Sequence, residues 1–462
     1  MTWRQPLGTY GVLIALTVSV REEKTRNQKT RTDEVIVQKR LKVLMSAYAC
    51  EPDRGSEPGI GWSVAREMAR YHDIWVMTQT DSRPGIEAEM ARNQHGGLQF
   101  VYWGLPRTKR FWELGHGERL HYYLWQLRML GVASALHAKV GFDLVHHVTF
   151  GRYWAPSFLC FLGLPFVWGP VGGGESAPRC FWSSGGWRSS LWEGSRELAR
   201  WVGEHGPFVR ATARRSAVAL ATTDQSASRM RALGCSYIET FLQNGLLDDE
   251  IEQLGAIQGK FKDGIRFVSV GKLMQWKGND ISLRALSQAD IPGAEYWVIG
   301  DGPDRRRLEA LASMLGIADR VRFCGSMPRH EVFSCFQNCD ALLHPSLHDS
   351  GGTATIEAMA AGLPVICLDL GGPGAQVTAN SGFKIPAHDP NQASREVASA
   401  MTTLARDKEL RQRLSSGARD RARRDFRWSS KAERLNAIYH QVLAESNERR
   451  LTDGPRAQTS AI

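Results

Sequence analysis

The stretch His344-Pro-Ser-Leu-His-Asp349-Ser-Gly351-Gly352-Thr353-Ala-Thr355-Ile-Glu357-Ala-Met-Ala-Ala-Gly362-Leu-Pro364-Val365 places a strand end, a glycine turn, a helix and the start of a second strand in immediate succession. The apolar run Ala341–His344 predicts a strand, and the small-residue run from Thr353 to Ala361 predicts a helix. Gly362-Leu-Pro364 then stops that helix and opens a buried strand. At such a junction the first backbone N–H groups of the helix have no partner within it, and its dipole favours negative charge there. Asp349, Ser350, Gly351, Gly352 and Thr353 are therefore candidates for a phosphate cradle. Glu357, one turn into the helix, is placed to accept hydrogen bonds from ribose hydroxyls. A Gly-Gly turn by itself is equally compatible with a purely structural role.

Outward from this junction the same logic repeats. Strands are predicted over Ile265–Val270, Glu295–Ile299, Val321–Cys324 and Pro364–Leu368. Helices alternate with them at Asn279–Gln288, Pro303–Leu315 and Pro328–Gln337. The first half reads likewise, with strands at Lys42–Ala47, Ile74–Met77, Leu98–Tyr102, Leu144–His147, Pro165–Trp168 and Val218–Ala221 and a helix from Gly61 to Tyr71. Strand–helix alternation of this kind builds parallel sheets, so the chain is expected to form two doubly wound α/β domains with a ligand cleft between the carboxyl ends of both sheets. The expected boundaries are a poorly ordered extension over 1–40, a first domain over 41–240 and a second over 241–420. A helix over 421–447 crosses back to the first domain, and a disordered tail covers 448–462.

Composition agrees with this class. The 462 residues are 42% hydrophobic and 23% charged, which excludes a mainly disordered chain, a collagen-like repeat and a multi-span membrane protein. Lys+Arg number 58 against Asp+Glu 48, a net charge of +10 that favours an anionic partner without choosing which. The eight cysteines show no zinc-ligand spacing and sit mostly in apolar runs, as buried thiols of a cytosolic protein do. The apolar run within Leu7–Val20 is too short to span a bilayer.

A second motif lies just after the first strand of the second domain: Gly271-Lys272-Leu-Met-Gln-Trp-Lys277-Gly278. Two ammonium groups at a strand's carboxyl end suit a diphosphate whose charge grows as a leaving group departs. Together with the first, this motif resembles family 4 of the glycosyltransferases, retaining enzymes of the GT-B fold. The family's Glu, seven residues, Glu pattern falls on Asp349 and Glu357, and its basic pair falls on Lys272 and Lys277. Gly300-Asp301-Gly302-Pro303 matches the loop after the second strand of the donor domain. Asp349 in place of the first Glu keeps the charge and shortens the reach by one methylene. The resemblance covers about residues 41–445 and is most specific over 265–377.

The resemblance extends to the first domain. Gly55, Gly59 and Gly61 resemble the family's glycine-rich loop, whose backbone approaches the donor diphosphate. His146 and His147 end a strand at the position where many members carry a histidine that touches the donor sugar or the acceptor. Neighbouring strand residues face opposite ways, so both stay candidates. Gly172, Gly173 and Glu175 follow the next strand and are expected at the acceptor mouth. The implied catalytic set is His146, His147, Lys272, Lys277 and Asp349. No Asp-x-Asp occurs, so no metal and no cofactor is expected, only a nucleotide diphosphate sugar as donor substrate.

The implied activity is retaining transfer of a hexose to a glycan or lipid-linked glycan in surface polysaccharide assembly, in the cytoplasm or on the inner face of its membrane. Arg107–Trp112, Tyr122–Trp125 and Phe181–Arg215 mix arginine with tryptophan and tyrosine, which suits an anionic membrane surface. Helix-packing tryptophans with solvated arginines account for the same residues. No nucleic-acid module is present. A sugar-nucleotide-binding protein of this fold without turnover is the alternative.

Overall fold

In each predicted strand the apolar residues run almost without interruption, because both faces of each sheet are covered by helices. The computed structural model describes residues 39–104, 118–257 and 264–452. The apolar segment at Leu7–Val20, the cluster Arg107–Trp112 and the end of the tail lie outside them.

Seven strands form the first sheet: β1 (Lys42–Ala47), β2 (Asp73–Thr78), β3 (Leu98–Tyr102), β4 (Leu144–Thr149), β5 (Phe166–Val171), β6 (Val218–Ala221) and β7 (Ile238–Thr240). Their order is 3-2-1-4-5-6-7 and every pairing is parallel. The second sheet contains β8 (Arg266–Val270), β9 (Glu295–Ile299), β10 (Val321–Gly325), β11 (Ala341–His344), β12 (Val365–Leu368) and β13 (Gly382–Ile385), in the parallel order 10-9-8-11-12-13. In each sheet the order reverses beside the first strand, between β1 and β4 and between β8 and β11. Ligands enter doubly wound sheets at such switch points.

Sequence patterning misses β7 and β13. Both are short edge strands, Ile-Glu-Thr and Gly-Phe-Lys-Ile, with too few buried positions to show a pattern.

Two segments cross between the domains. Ala177 and Phe181 come from the first half of the chain, yet they are buried in the second domain's core with Leu273 and Leu347. The charged tail breaks into two helices, Lys408–Asp425 and Trp428–Thr452, the second standing where the helix over 421–447 is expected. At the break Leu246 pairs with Arg427, so the two connections between the domains run side by side. The last helix then buries Leu435, Ile438 and Tyr439 in the first domain's core, against the helix Ser56–Met68. Among the described residues no helix is long and apolar enough to cross a membrane.

Candidate functional site

The chain leaves β11 at His344 and loops to Gly352, whose φ of +67° lets it turn into the helix Thr353–Ala360. Asp349 in that loop receives a hydrogen bond from the Lys277 ammonium, and His344 Nε2 lies 3.2 Å from its Oδ2. Burial alone would raise the Asp349 carboxyl, but the Lys277 charge and the His344 hydrogen bond hold it well below the usual carboxylate range. Burial lowers His344, which is therefore neutral at pH 7. Lys277 reaches this point because Gly278 ends its turn at φ +70°, with Pro345 O only 2.1 Å from where a Cβ would sit. No other residue fits there without moving backbone.

Glu357 is 6% exposed, and Arg329 Nε donates to its Oε1 at 2.6 Å. The same guanidinium also reaches Glu250. Burial pushes the Glu357 carboxyl up, and Arg329 offsets only part of that. Asn244 donates to Thr353 Oγ1 at 2.7 Å and so ties the interdomain linker to the helix start.

The opposite wall comes from the first domain. The helix predicted from Gly61 begins five residues earlier, at Ser56, so Gly55 and Gly59 stand at its first turn rather than in a loose loop. A Cβ at Gly59 would lie 2.0 Å from Arg54 O, and one at Gly61 would lie 2.3 Å from Ala49 O. Between the walls is a cleft of about 960 Å³. It brings together Gly55, Gly59, Gly271, Lys277, Asp349, Ser350, Gly351, Gly352, Thr353 and Glu357.

Other expected residues lie elsewhere. Lys272 is exposed beside a small hollow that it shares with Gly271, Lys277 and His344. Gly61 and Gly302 are packed against backbone, at Ala49 and Leu273, and do not line the cleft. His146 is fully buried, with its ring nitrogens 2.6 Å from Tyr439 Oη and 2.6 Å from Gly169 O, and burial lowers its pKa to about 4. His147 is equally buried, lowered to about 3 by the same cause, and also absent from the cleft wall.

Glu175, expected at the acceptor mouth, is completely buried and does not line the cleft. It accepts from Thr223 Oγ1 at 2.6 Å, Ser226 Oγ at 2.8 Å and Gly173 N at 2.9 Å. It also accepts from the Ser350 hydroxyl, and Gly172 packs against Ser350. These residues fasten the first domain to the Asp349 loop.

Sequence reasoning missed Arg66, Arg152, Asn244 and Arg329 on the cleft wall. In a chain with 58 basic residues nothing local marks Arg329, apart from its place after Pro328 at a helix start.

Residues 250–421 match the model of the family "Glycosyl transferases group 1". The match covers a little over a third of the chain, all of it in the second domain and the helix that follows. The chain is 34% identical over 179 residues to the D-inositol 3-phosphate glycosyltransferase of Corynebacterium diphtheriae, covering 37% of this chain and 41% of that one. It is 32% identical over 209 residues to the corresponding protein of Thermomonospora curvata, covering 43% and 47%. The matches thus span less than half the length of these relatives.

Among solved structures, the sucrose-phosphate synthase of Thermosynechococcus elongatus superposes with a TM-score of 0.59 at 18% identity, over 88% of this chain and all of that one. Anabaena HepE in complex with UDP gives 0.58 at 16%, over 87% and 100%. WaaG, a glycosyltransferase involved in lipopolysaccharide biosynthesis, gives 0.55 at 19%, over 86% and 99%. The two domains therefore have the fold of these structures, GT-B.

Proposed function

We propose that the chain is a hexosyltransferase that takes its sugar from a nucleoside diphosphate and delivers it to a glycan or lipid-linked glycan acceptor in surface polysaccharide assembly. The observation that carries this reading is the convergence of the Lys277 ammonium, the start of the helix Thr353–Ala360 and the Glu357 carboxylate on one cleft. Together they match the three parts of a donor: a diphosphate, its departing charge and a ribose. The group 1 domain match supports the same donor class, as does UDP in the HepE structure.

In this reading Lys277 and the helix N-terminus, with Lys272 reaching over from the neighbouring hollow, stabilise the leaving diphosphate without a metal. Asp349 orients Lys277 and the donor sugar. The acceptor attacks from the face the diphosphate leaves, through an oxocarbenium-like state, and the leaving phosphate takes the acceptor proton, so the anomeric configuration is retained.

Membrane docking fits the helix Trp187–Glu204, which has its polarity reversed for a soluble protein. Glu193, Glu197 and Glu204 pair inward with His348, Arg200 and Arg229, while Trp187 (71% exposed), Leu191, Leu198 and Trp201 face outward. Exposed Arg210, Arg214 and Arg215 follow. Apolar, aromatic and basic side chains on one surface suit an anionic lipid interface.

A thermal-shift panel of UDP, GDP and ADP sugars, on wild type and Glu357→Ala, tests the donor site. One nucleotide class is expected to raise the melting temperature of wild type only. Release of that nucleoside diphosphate with glycan acceptors, unchanged by EDTA, then tests turnover. Binding without release by any acceptor would leave the non-turnover reading.

A further inference from the structure

Beside the cleft lies a second cavity of about 410 Å³, within the range of about 300–1,000 Å³ usual for small-molecule sites. Both domains build it. Trp182, Trp192 and Glu193 come from the first half of the chain, and Trp276, Asp304 and Arg307 from the second domain. Trp276 lines both the cavity and the donor cleft, so one indole separates them. That indole stacks on His348 at 4.7 Å between centroids, and His348 stacks on Trp192 at 5.6 Å. The three rings form one stack, of which the two indoles line the cavity and the imidazole lines the cleft.

The polar part of the wall is unusual. Glu193 is 3% exposed, and its Oε1 is 3.1 Å from His348 Nε2. Its other oxygen, Oε2, has no hydrogen-bond partner among the described residues, and Arg196 Nη1 stands 3.9 Å away. Oε2 is sealed from the cavity as it stands, so a ligand hydroxyl meets it only through a small shift of the Glu193 side chain, which its missing donor favours. Gln275 adds an amide, while Asp304 and Arg307 pair with each other at the edge at 2.6 and 2.8 Å.

Flat aromatic faces beside acceptor-only carboxylates and an amide suit a ring that is apolar on its C–H faces and hydroxylated at its edge. An alkyl chain would cover the same indoles but would desolvate Arg307 and offer the cavity's polar groups no hydrogen bond. We propose that the cavity walled by Trp182, Trp192 and Trp276 is a pyranose-binding subsite that holds a sugar ring of the acceptor next to the donor cleft. The pyranose class follows from the wall itself, whereas its assignment to the acceptor rests on the transferase reading.

The test uses the full chain and saturation-transfer NMR with methyl glycosides of glucose, galactose, mannose and N-acetylglucosamine. At least one should receive saturation. Trp192→Ala and Glu193→Gln should each weaken it about tenfold or more. Trp192 is 45% exposed, so its replacement spares the fold even if that of Glu193 does not. Nucleoside diphosphate thermal shifts, read separately, should be the same in wild type and Trp192→Ala.

No transfer to any glycoside, or transfer unchanged in Trp192→Ala, overturns the subsite. Binding of an octyl-chain probe in place of the methyl glycosides also overturns it, in favour of a lipid groove. If glycosides bind at Trp192 while no nucleotide shifts the melting temperature, the subsite stands and the transferase reading falls.

Discussion

Arg329 Nε lies 2.6 Å from Glu357 Oε1 at the cleft, and the same guanidinium serves Glu250, so one cation holds two carboxylates together. Its importance follows from burial, which raises the Glu357 pKa although Arg329 opposes the rise. In the proposed donor mode Glu357 accepts two ribose hydroxyls, which needs its ionised form. Donor affinity should therefore fall, as pH drops, at a higher pH than an ordinary carboxylate would allow. Arg329→Met removes the opposing charge, and the midpoint should move further up. We expect about a tenfold rise in donor KM at pH 7 with a smaller change in kcat, a loss of about 1.4 kcal/mol. KM measured from pH 5 to 8 in both proteins checks this, and an unchanged midpoint would refute it.

Lys277 and Asp349 give the opposite sign. The Asp349 carboxyl is depressed in the folded protein, against its own burial, by Lys277 and His344. A depressed carboxyl contributes stability that is present above its unfolded pKa of about 3.9 and is lost as pH falls further. Lys277→Ala should thus be less stable than wild type at pH 7, and the two should converge in acid. Its kcat should fall about 10²–10³-fold, the usual loss when a donor aimed at developing charge is removed. Melting temperatures from pH 7 down to pH 3 and a single-turnover rate separate the two effects.

Much of this was legible because parallel strands buried on both faces announce themselves as unbroken apolar runs. Lys42–Ala47, Glu295–Ile299 and Ala341–His344 begin and end as expected. The cleft residues nearest to Asp349 were also visible, since the glycine turn after one strand and Lys277 after another are each marked by their own neighbours in sequence. Arg329 stayed hidden because it meets Glu250 and Glu357 only through tertiary packing. Glu175 misled for the same reason. A glutamate after three glycines looks exposed, and only the fold delivers Thr223, Ser226 and Ser350 to it.

His146 and His147 separate structural from chemical work. Burial lowers their pKa values to about 4 and about 3, so both rings are neutral at pH 7. Each contributes stability that is full above the unfolded pKa of about 6.5 and lost as pH falls through the folded value. His146→Phe removes the bonds to Tyr439 and Gly169 and should cost about 2 kcal/mol or more, with a shallower loss of stability between pH 6.5 and 4. The pH–rate profile between 6 and 8 should keep its shape. A lost inflection there would instead place His146 in the chemistry.

Lys431 is buried between the rings of Phe241 and Trp428, at 4.5 and 5.8 Å, and its ammonium donates to Leu242 O on the interdomain linker. Burial first, then the nearby Arg434, lowers its pKa to about 7. The unfolded chain holds that proton up to about pH 10.4, so folding is disfavoured by this group throughout the interval below that value. Stability should therefore rise with pH between 7 and 10 on its account. Lys431→Met keeps the stem, removes the charge and leaves Leu242 O without its donor, a loss of about 1–3 kcal/mol. Relative to wild type, the variant should be at its best at pH 7 and fall progressively behind toward pH 10. Chemical denaturation at pH 7, 8.5 and 10 decides it. A constant difference between the two proteins at all three would mean that the buried amine stays charged, held by the rings and the carbonyl alone.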